Sequence, residues 1–167
     1  RAEIYAEMNR VLAAMHLVDV DAVGLGDYGR PGSYFERQVS RWTKQYRATE
    51  TESIPEMETL IEWLPANMPA DDGRVSLVHG DFRLDNMMFD KQSNKVVALV
   101  DWELSTLGHP FADLAYQCMQ WRMPRESLIA GLGDMDRKAM GIPSEEEDVA
   151  MYCRHRGIDK MANWNFY

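Results

Sequence analysis

Long apolar runs are missing from this sequence. Stretches such as Val96–Val100 fall far short of the length that crosses a bilayer, and no basic segment leads into an apolar one at the amino end. A membrane partner is thereby excluded from the reading, and a cytoplasmic protein is expected. Basic charge is also scarce: 18 Lys and Arg stand against 27 Asp and Glu, for a formal charge of -9. That balance leaves no cationic stripe to neutralise a nucleic-acid backbone, so no nucleic-acid partner is expected. Cysteine occurs only twice, as Cys118 and Cys153, without CxxC or Cys/His ligand spacing. A disulfide framework and a structural zinc site are excluded, and two free, buried thiols are expected. Internal repeats and low-complexity segments are lacking as well.

With 46% of its 167 residues apolar, the chain can build one sizeable core, and a single domain over residues 1–167 is expected. Both ends read as cut. A helical pattern opens directly at Arg1, and the chain stops in the aromatic cluster Asn163–Tyr167.

Ile4, Met8, Val11, Leu12 and Met15 fall at helical spacing and predict a first helix ending near His16. Glycines and Pro31 then break the pattern. Phe35, Val39, Trp42 and Tyr46 predict a second helix, and Met57, Leu60, Ile61 and Leu64 a third, capped by Ser53 with Glu56 and stopped by Pro65. Short apolar segments at Val75–Val78, Met87–Phe89 and Val96–Val100 are too short for helices and read as strands or hairpin arms. Helical spacing returns from Phe111 to Met119, and Ser144 with Glu147 caps a last helix through Val149, Tyr152 and Cys153. The segment Gly131–Pro143 reads as a flexible surface loop. The order of elements is that of an α+β fold, mostly helical, with a small β element in the middle.

The chemistry gathers in that middle. His79-Gly80-Asp81-Phe82-Arg83-Leu84-Asp85-Asn86 lies between two short strands, and Asp101 ends the next apolar run. Phosphoryl transfer from ATP needs magnesium to neutralise phosphate oxygens and one group to orient the attacking hydroxyl and accept its proton. An Asp on a loop, an Asn at the loop's exit and an Asp at the end of a hairpin arm are three separately held oxygen ligands that can converge on one point. Magnesium keeps part of its coordination for phosphate and water, so two protein ligands suffice.

His79-x-Asp81-x-x-x-x-Asn86 followed by Asp101 resembles the catalytic loop and metal-binding Asp of the protein-kinase superfamily. Gly80 between His and Asp, Trp102 after the metal Asp, and Asp113-Leu114-Ala115 further on resemble its aminoglycoside phosphotransferase and choline kinase-like branch. The phrasing His-Gly-Asp-Phe-Arg-Leu-Asp-Asn and Asp-Trp-Glu-Leu-Ser-Thr-Leu-Gly is similar to the kinase-like domain fused to animal acyl-CoA dehydrogenases. Nothing in the chain resembles a flavin site. The resemblance covers essentially the whole chain and implies the mostly helical C-terminal lobe of a protein-kinase-like fold, with a β-hairpin element carrying the catalytic loop.

By position, the resemblance implies Asp81 as catalytic base, and Asn86 and Asp101 as magnesium ligands that bind the ATP phosphates. His79 would brace the loop, Asp113 would support the site from a helix start, and Arg83 would face γ-phosphate or an anionic acceptor. Glu103 either touches the metal through water or faces away. ATP and magnesium are the implied cofactors, and a hydroxylated small molecule such as a hydroxyacyl thioester the implied acceptor.

The family's glycine-rich loop and strand Lys are not found after Arg1, so they are expected in an N-terminal lobe outside this chain, without which turnover is not expected. Two other readings compete: a non-catalytic kinase-like binding module, and a phosphohydrolase holding two metals through His79, Asp81, Asp101 and His109. Other residues have plainer readings. Trp42, Met87, Met88, Met119 and Trp121 are expected in the core, His109 at a turn or cap, and Arg122 and Arg125 at a solvated helix end or an acceptor site; His16 and His155 carry no assigned role.

Overall fold

The computed structural model describes all 167 residues. Three helices come first: α1 (Ala2–His16), α2 (Tyr34–Thr49) and α3 (Pro55–Asn67). Four short strands follow, β1 (Ser76–Val78), β2 (Met87–Phe89), β3 (Val96–Leu99) and β4 (Thr106–Gly108), and then α4 (Phe111–Arg122) and α5 (Glu145–Arg156). A 3-10 turn, Leu84–Asn86, leads into β2. The fold is helix-rich α+β.

The strands form two nested antiparallel pairs. β1 pairs with β4, Leu77 opposite Leu107, and the hairpin of β2 and β3 lies between them in sequence, Met87 opposite Leu99. Nesting matters for the site. It brings the chain leaving β1, the turn entering β2 and the chain leaving β3 to neighbouring positions, although they are up to two dozen residues apart. β4 escapes the sequence reading because Thr106–Gly108 is too short to show alternation and is a strand only through its pairing with β1.

Met8, Leu12, Ala13 and Met15 of α1 are buried, and α1 packs on α5 and β1. Leu114, Tyr152 and Phe82 have no exposed surface. Burial of a side chain such as Phe82 contributes about 1.5–3 kcal/mol and ties the loop after β1 to the core. Both cysteines are free and buried. In contrast, α2 and α3 pack on each other and contain no fully buried residue. No helix is long and apolar enough to cross a membrane.

Helix ends follow local chemistry, with two corrections. Ser144 and Glu147 form a reciprocal capping box at α5, and Gly157 closes that helix in the left-handed region. At α3 the Ser53–Glu56 box does not form: Ile54 is the cap residue and Pro55 takes the first helical position, where its fixed φ fits and its missing N–H costs nothing. Pro65 does not stop α3, which runs on to Asn67. The proline removes one hydrogen bond in the last turn, and the Asn67 side chain donates to the Trp63 carbonyl at 2.8 Å.

Two further expectations change. Trp42 and Met88 are 52% and 55% exposed, not core, because α2 is a peripheral helix and β2 alternates, turning Met87 in and Met88 out. Gly131–Pro143 is not a loose loop but a run of turns tied to α4. Leu132 N–H donates to the Gln120 carbonyl at 2.7 Å, and the Trp121 indole donates to the Pro143 carbonyl at 2.7 Å.

Candidate active site

β1 delivers His79, Gly80 and Asp81 in succession. Gly80 has φ +84°, and a Cβ there would lie 2.6 Å from the Leu104 carbonyl oxygen, so only glycine lets the loop turn this close to the segment before β4. Asp113, buried on the first turn of α4, fixes the same turn from the other side. Its Oδ2 accepts the backbone N–H of His79 at 2.7 Å and its Oδ1 that of Gly80 at 2.8 Å.

His79 is fully buried and both ring nitrogens are engaged. Nδ1 accepts the Asp81 N–H at 3.3 Å, which leaves Nε2 protonated to donate to the Val100 carbonyl at 3.0 Å. One imidazole thus links the loop after β1 to the residue preceding Asp101. This is a bracing geometry, and it leaves no ring lone pair for a metal.

Asn86 ends the 3-10 turn. Its Nδ2 donates to the carbonyl oxygen of Asp81 at 2.9 Å and to the Asp81 carboxylate at 2.8 Å, so the amide holds Asp81 while its own Oδ1 is left free as a hard oxygen donor. Asp101 reaches the same place from β3. Val100 N–H donates to the Asn86 carbonyl at 3.0 Å, setting Asp101 beside Asn86 at the open end of the β2–β3 hairpin. Asp101 has φ +67°, a conformation unusual for a residue with a side chain, and its exposed carboxylate makes no hydrogen bond within the protein. An amide oxygen and a carboxylate oxygen fit magnesium, which takes hard oxygen ligands and reserves positions for phosphate and water. No group of three or more His, Cys, Asp or Glu is placed to hold a metal, and His109 spends its nitrogens on Phe111 N–H and Asp72. A two-metal hydrolytic centre built on His79 and His109 therefore has no free nitrogen ligands.

Arg83 is in the neighbourhood but not free. Its guanidinium is paired with Asp85, which raises its pKa above the usual value, with Asp81 a further acidic neighbour. Glu103 is exposed and unpaired, close in sequence to Asp101, and the structure gives it no partner.

Two sets of residues here escape sequence reading. His16 is buried at the end of α1, its Nε2 3.2 Å from Asp113 Oδ2 and its Nδ1 2.7 Å from the Tyr152 hydroxyl. Burial pushes the His16 pKa down against the pull of Asp113, so the ring is neutral, donating through Nε2 and accepting from Tyr152. Tyr116 of α4 lies beside both Asp81 and Arg83, and its pKa is raised, by burial first and by Asp81 second. No local motif marks either set: the partners of His16 are 97 and 136 residues away.

An apolar groove of ≈ 370 Å³ opens at this turn, lined by Tyr34, Trp42, Gly80, Tyr116 and Met119 among others. It joins α2 to α4 across the loop that carries Asp81.

Comparison with known proteins identifies the family and the fold. The family model described as the phosphotransferase enzyme family matches residues 1–152. Acyl-CoA dehydrogenase family member 10 of Mus musculus is 51% identical over the whole chain, which covers 16% of that protein; member 11 of Homo sapiens is 44% identical, with 21% covered. The crystal structure of a Ralstonia eutropha JMP134 protein, provisionally named an aminoglycoside phosphotransferase, superposes with a TM-score of 0.94 at 52% identity. The match covers all of this chain and 51% of that one. An aminoglycoside-3'-phosphotransferase of type VIII, at 20% identity and a TM-score of 0.65, shares the fold. The chain thus spans about half of the Ralstonia protein and 16% and 21% of these curated relatives. Its fold is the helix-rich α+β fold of the aminoglycoside phosphotransferase-like kinases, and the chain belongs to the phosphotransferase enzyme family.

Proposed function

We propose that this chain carries the catalytic base and metal ligands of an ATP- and magnesium-dependent phosphotransferase acting on a hydroxyl group of a small molecule. The observation that carries the reading is the clasp of Asn86 Nδ2 on the Asp81 carboxylate, with Asn86 Oδ1 and the unpaired Asp101 carboxylate beside it. Asp81 orients the acceptor hydroxyl and takes its proton as the oxygen bonds to the γ-phosphorus and the bond to ADP breaks. Asn86 and Asp101 hold magnesium, which when bound neutralises charge on the phosphate oxygens. Asp113 and His79 keep the loop in register. Arg83 releases Asp85 to meet an anionic group, a step for which its partial exposure leaves room.

The acceptor we favour is a hydroxyacyl thioester. The relatives' names refer to acyl-CoA, and the groove beside Asp81 is mainly apolar, which suits an acyl chain better than a polycationic sugar. The glycine-rich loop and Lys that complete an ATP site are assigned to sequence outside this chain, and residues 1–167 alone are expected to lack turnover. The test is magnesium-dependent ADP release by the full-length protein across hydroxylated acceptors. Release stimulated by a hydroxyacyl thioester supports the reading, whereas stimulation by none of the acceptors, with ATP bound, points instead to a binding module.

A further inference from the structure

Four cations without an ion pair line a cup at the start of α2 of this acidic molecule. It is an open cavity of ≈ 800 Å³ whose one apolar lining side chain is Pro31, formed by Arg30, Ser33, Arg37, Ser40, Arg41 and Lys44 with their neighbours. Glu36 is the one acidic residue of its lining, and the Asp71 carboxylate meets the rim at the Ser33 amide, in a chain whose formal charge is -9.

Six of the fourteen cations outside the cup are paired: Arg10 and Lys95 with Glu7, Arg47 with Glu58, Arg74 with Asp72, Arg83 with Asp85 and Arg122 with Glu145. The cup instead gathers four cations with no ion pair in one lining. Arg30, Arg41 and Lys44 are exposed and make no ion pair, and the Arg37 guanidinium donates only to the carbonyls of Arg30, at 2.6 Å, and Gly32. Arg37 thereby closes the turn 30–33 onto the helix, and Ser33 N–H donates to Asp71 Oδ2 at 2.6 Å, holding the rim in place.

The cup also connects to the turn that carries Asp81. The Tyr28 hydroxyl is 2.6 Å from Ser105 Oγ, and a Cβ on Gly29 would lie 2.6 Å from Leu107 N, so the strand of chain entering the cup runs along residues 105–107. Leu104, next in line, is the residue against which Gly80 packs. On its other edge α2 turns Tyr34 and Trp42 into the apolar groove that reaches Gly80 and Tyr116. One helix therefore borders an apolar groove leading to the base and, a quarter turn or more away, a polar cup rich in guanidinium groups.

We infer that the α2 cup, through Arg30, Arg41 and Lys44 with Arg37 as its fixed wall, binds the phosphate-bearing end of the acceptor. An elongated acceptor lays its apolar part in the groove, its hydroxyl at Asp81 and its phosphates in the cup. Several guanidinium and ammonium groups exceed what one carboxylate can use, and planar guanidinium groups match phosphate oxygens in bidentate fashion. This assignment rests on the phosphotransferase reading for the place of the hydroxyl, while the cup itself is tested without turnover.

The test is calorimetric binding of coenzyme A, a phosphate-rich thiol, to the full-length protein with its nucleotide site filled by a non-hydrolysable ATP analogue. The comparison is between wild type, the double variant R41A/K44A and the control Lys91→Ala, an exposed cation far along the chain. Alanine keeps α2 helical, and circular dichroism verifies the fold. The expected result is coenzyme A binding that weakens with added salt, falls at least about tenfold in R41A/K44A and is unchanged in Lys91→Ala. Equal affinity in R41A/K44A and wild type overturns the assignment. So does an absence of coenzyme A binding together with R41A/K44A-sensitive binding to anionic phosphatidylserine vesicles, which makes the cup a membrane contact. Coenzyme A binding that depends on Arg41 and Lys44, in a protein that phosphorylates no acceptor, upholds the cup and defeats the kinase reading alone.

Discussion

The Asp113 carboxylate accepts the backbone N–H of His79 at 2.7 Å, so a residue on the first turn of α4 fixes the chain two residues ahead of Asp81. The same carboxylate accepts from Gly80 and from His16, which in turn meets Tyr152. Three helices thus converge on one turn of backbone. Asp113→Asn offers one oxygen in place of two and turns an amide N–H₂ towards a donor. A loss of stability of about 1–3 kcal/mol is expected in urea denaturation. The same variant is expected to lose at least about a hundredfold in kcat, since loop geometry governs the attack.

Asp101 stands at φ +67° in a region that L-residues enter at a cost. Asp101→Gly relieves that strain while removing the carboxylate. Its thermal midpoint is expected to stay level or rise slightly, with turnover and magnesium dependence lost. A marked fall in stability would show that the Asp101 side chain supports the fold instead of being held against it.

A second buried polar group carries a pH signature. Asp148 accepts from the Gln117 side chain at 2.9 Å, and its carbonyl accepts from the Asn9 side chain at 2.8 Å, which leaves Asn9 Oδ1, Gln117 Oε1 and Asp148 Oδ1 without donors. Burial raises the Asp148 pKa from 3.8 to about 7, so the folded protein keeps a proton there that can serve one of the orphan oxygens. Because the folded pKa lies above the unfolded one, this contribution to stability is full below about 4 and is lost as pH rises through about 7. Asp148→Asn supplies the donor at every pH. Denaturation at pH 5 and pH 8 should show wild type weakening by about 1–3 kcal/mol relative to Asp148→Asn over that interval.

Glu7 behaves in the opposite sense. Hydrogen bonds from Arg10, then Lys95 and the Val96 amide, hold its pKa down at about 2 from 4.5. Its contribution is present above about 4.5 and is lost as pH falls towards 2. Glu7→Gln should therefore flatten the acid limb of the stability curve while leaving the limb from Asp148 in place, a separation that a pH series of denaturant midpoints reads directly.

How much of this was legible in the sequence depends on distance along the chain. His79 to Asn86 form one continuous loop, and Asp101 closes the following hairpin, so their convergence follows from short strands and tight turns. The Ser144–Glu147 cap was legible for the same reason. His16 and Tyr152 were not, since their contact with Asp113 exists only after α1, α4 and α5 pack. Tyr116 was not singled out either, since only the packing of α4 against the Asp81 loop brings it beside Asp81 and Arg83. The exposure of Trp42 was missed because helical spacing marks an apolar face without saying whether anything covers it. Pro65 misled because a proline in the last turn removes a single bond from a helix that is already ending.

The most direct measurement compares Asp81→Asn with wild type in the full-length protein, reading magnesium-dependent ADP release and ATP affinity side by side. An amide keeps the shape but cannot take the acceptor's proton. The expected result is a fall in turnover of at least about a thousandfold with ATP affinity within a few fold of wild type. Turnover that survives the substitution would contradict Asp81 as the base, and with it the central assignment of the site.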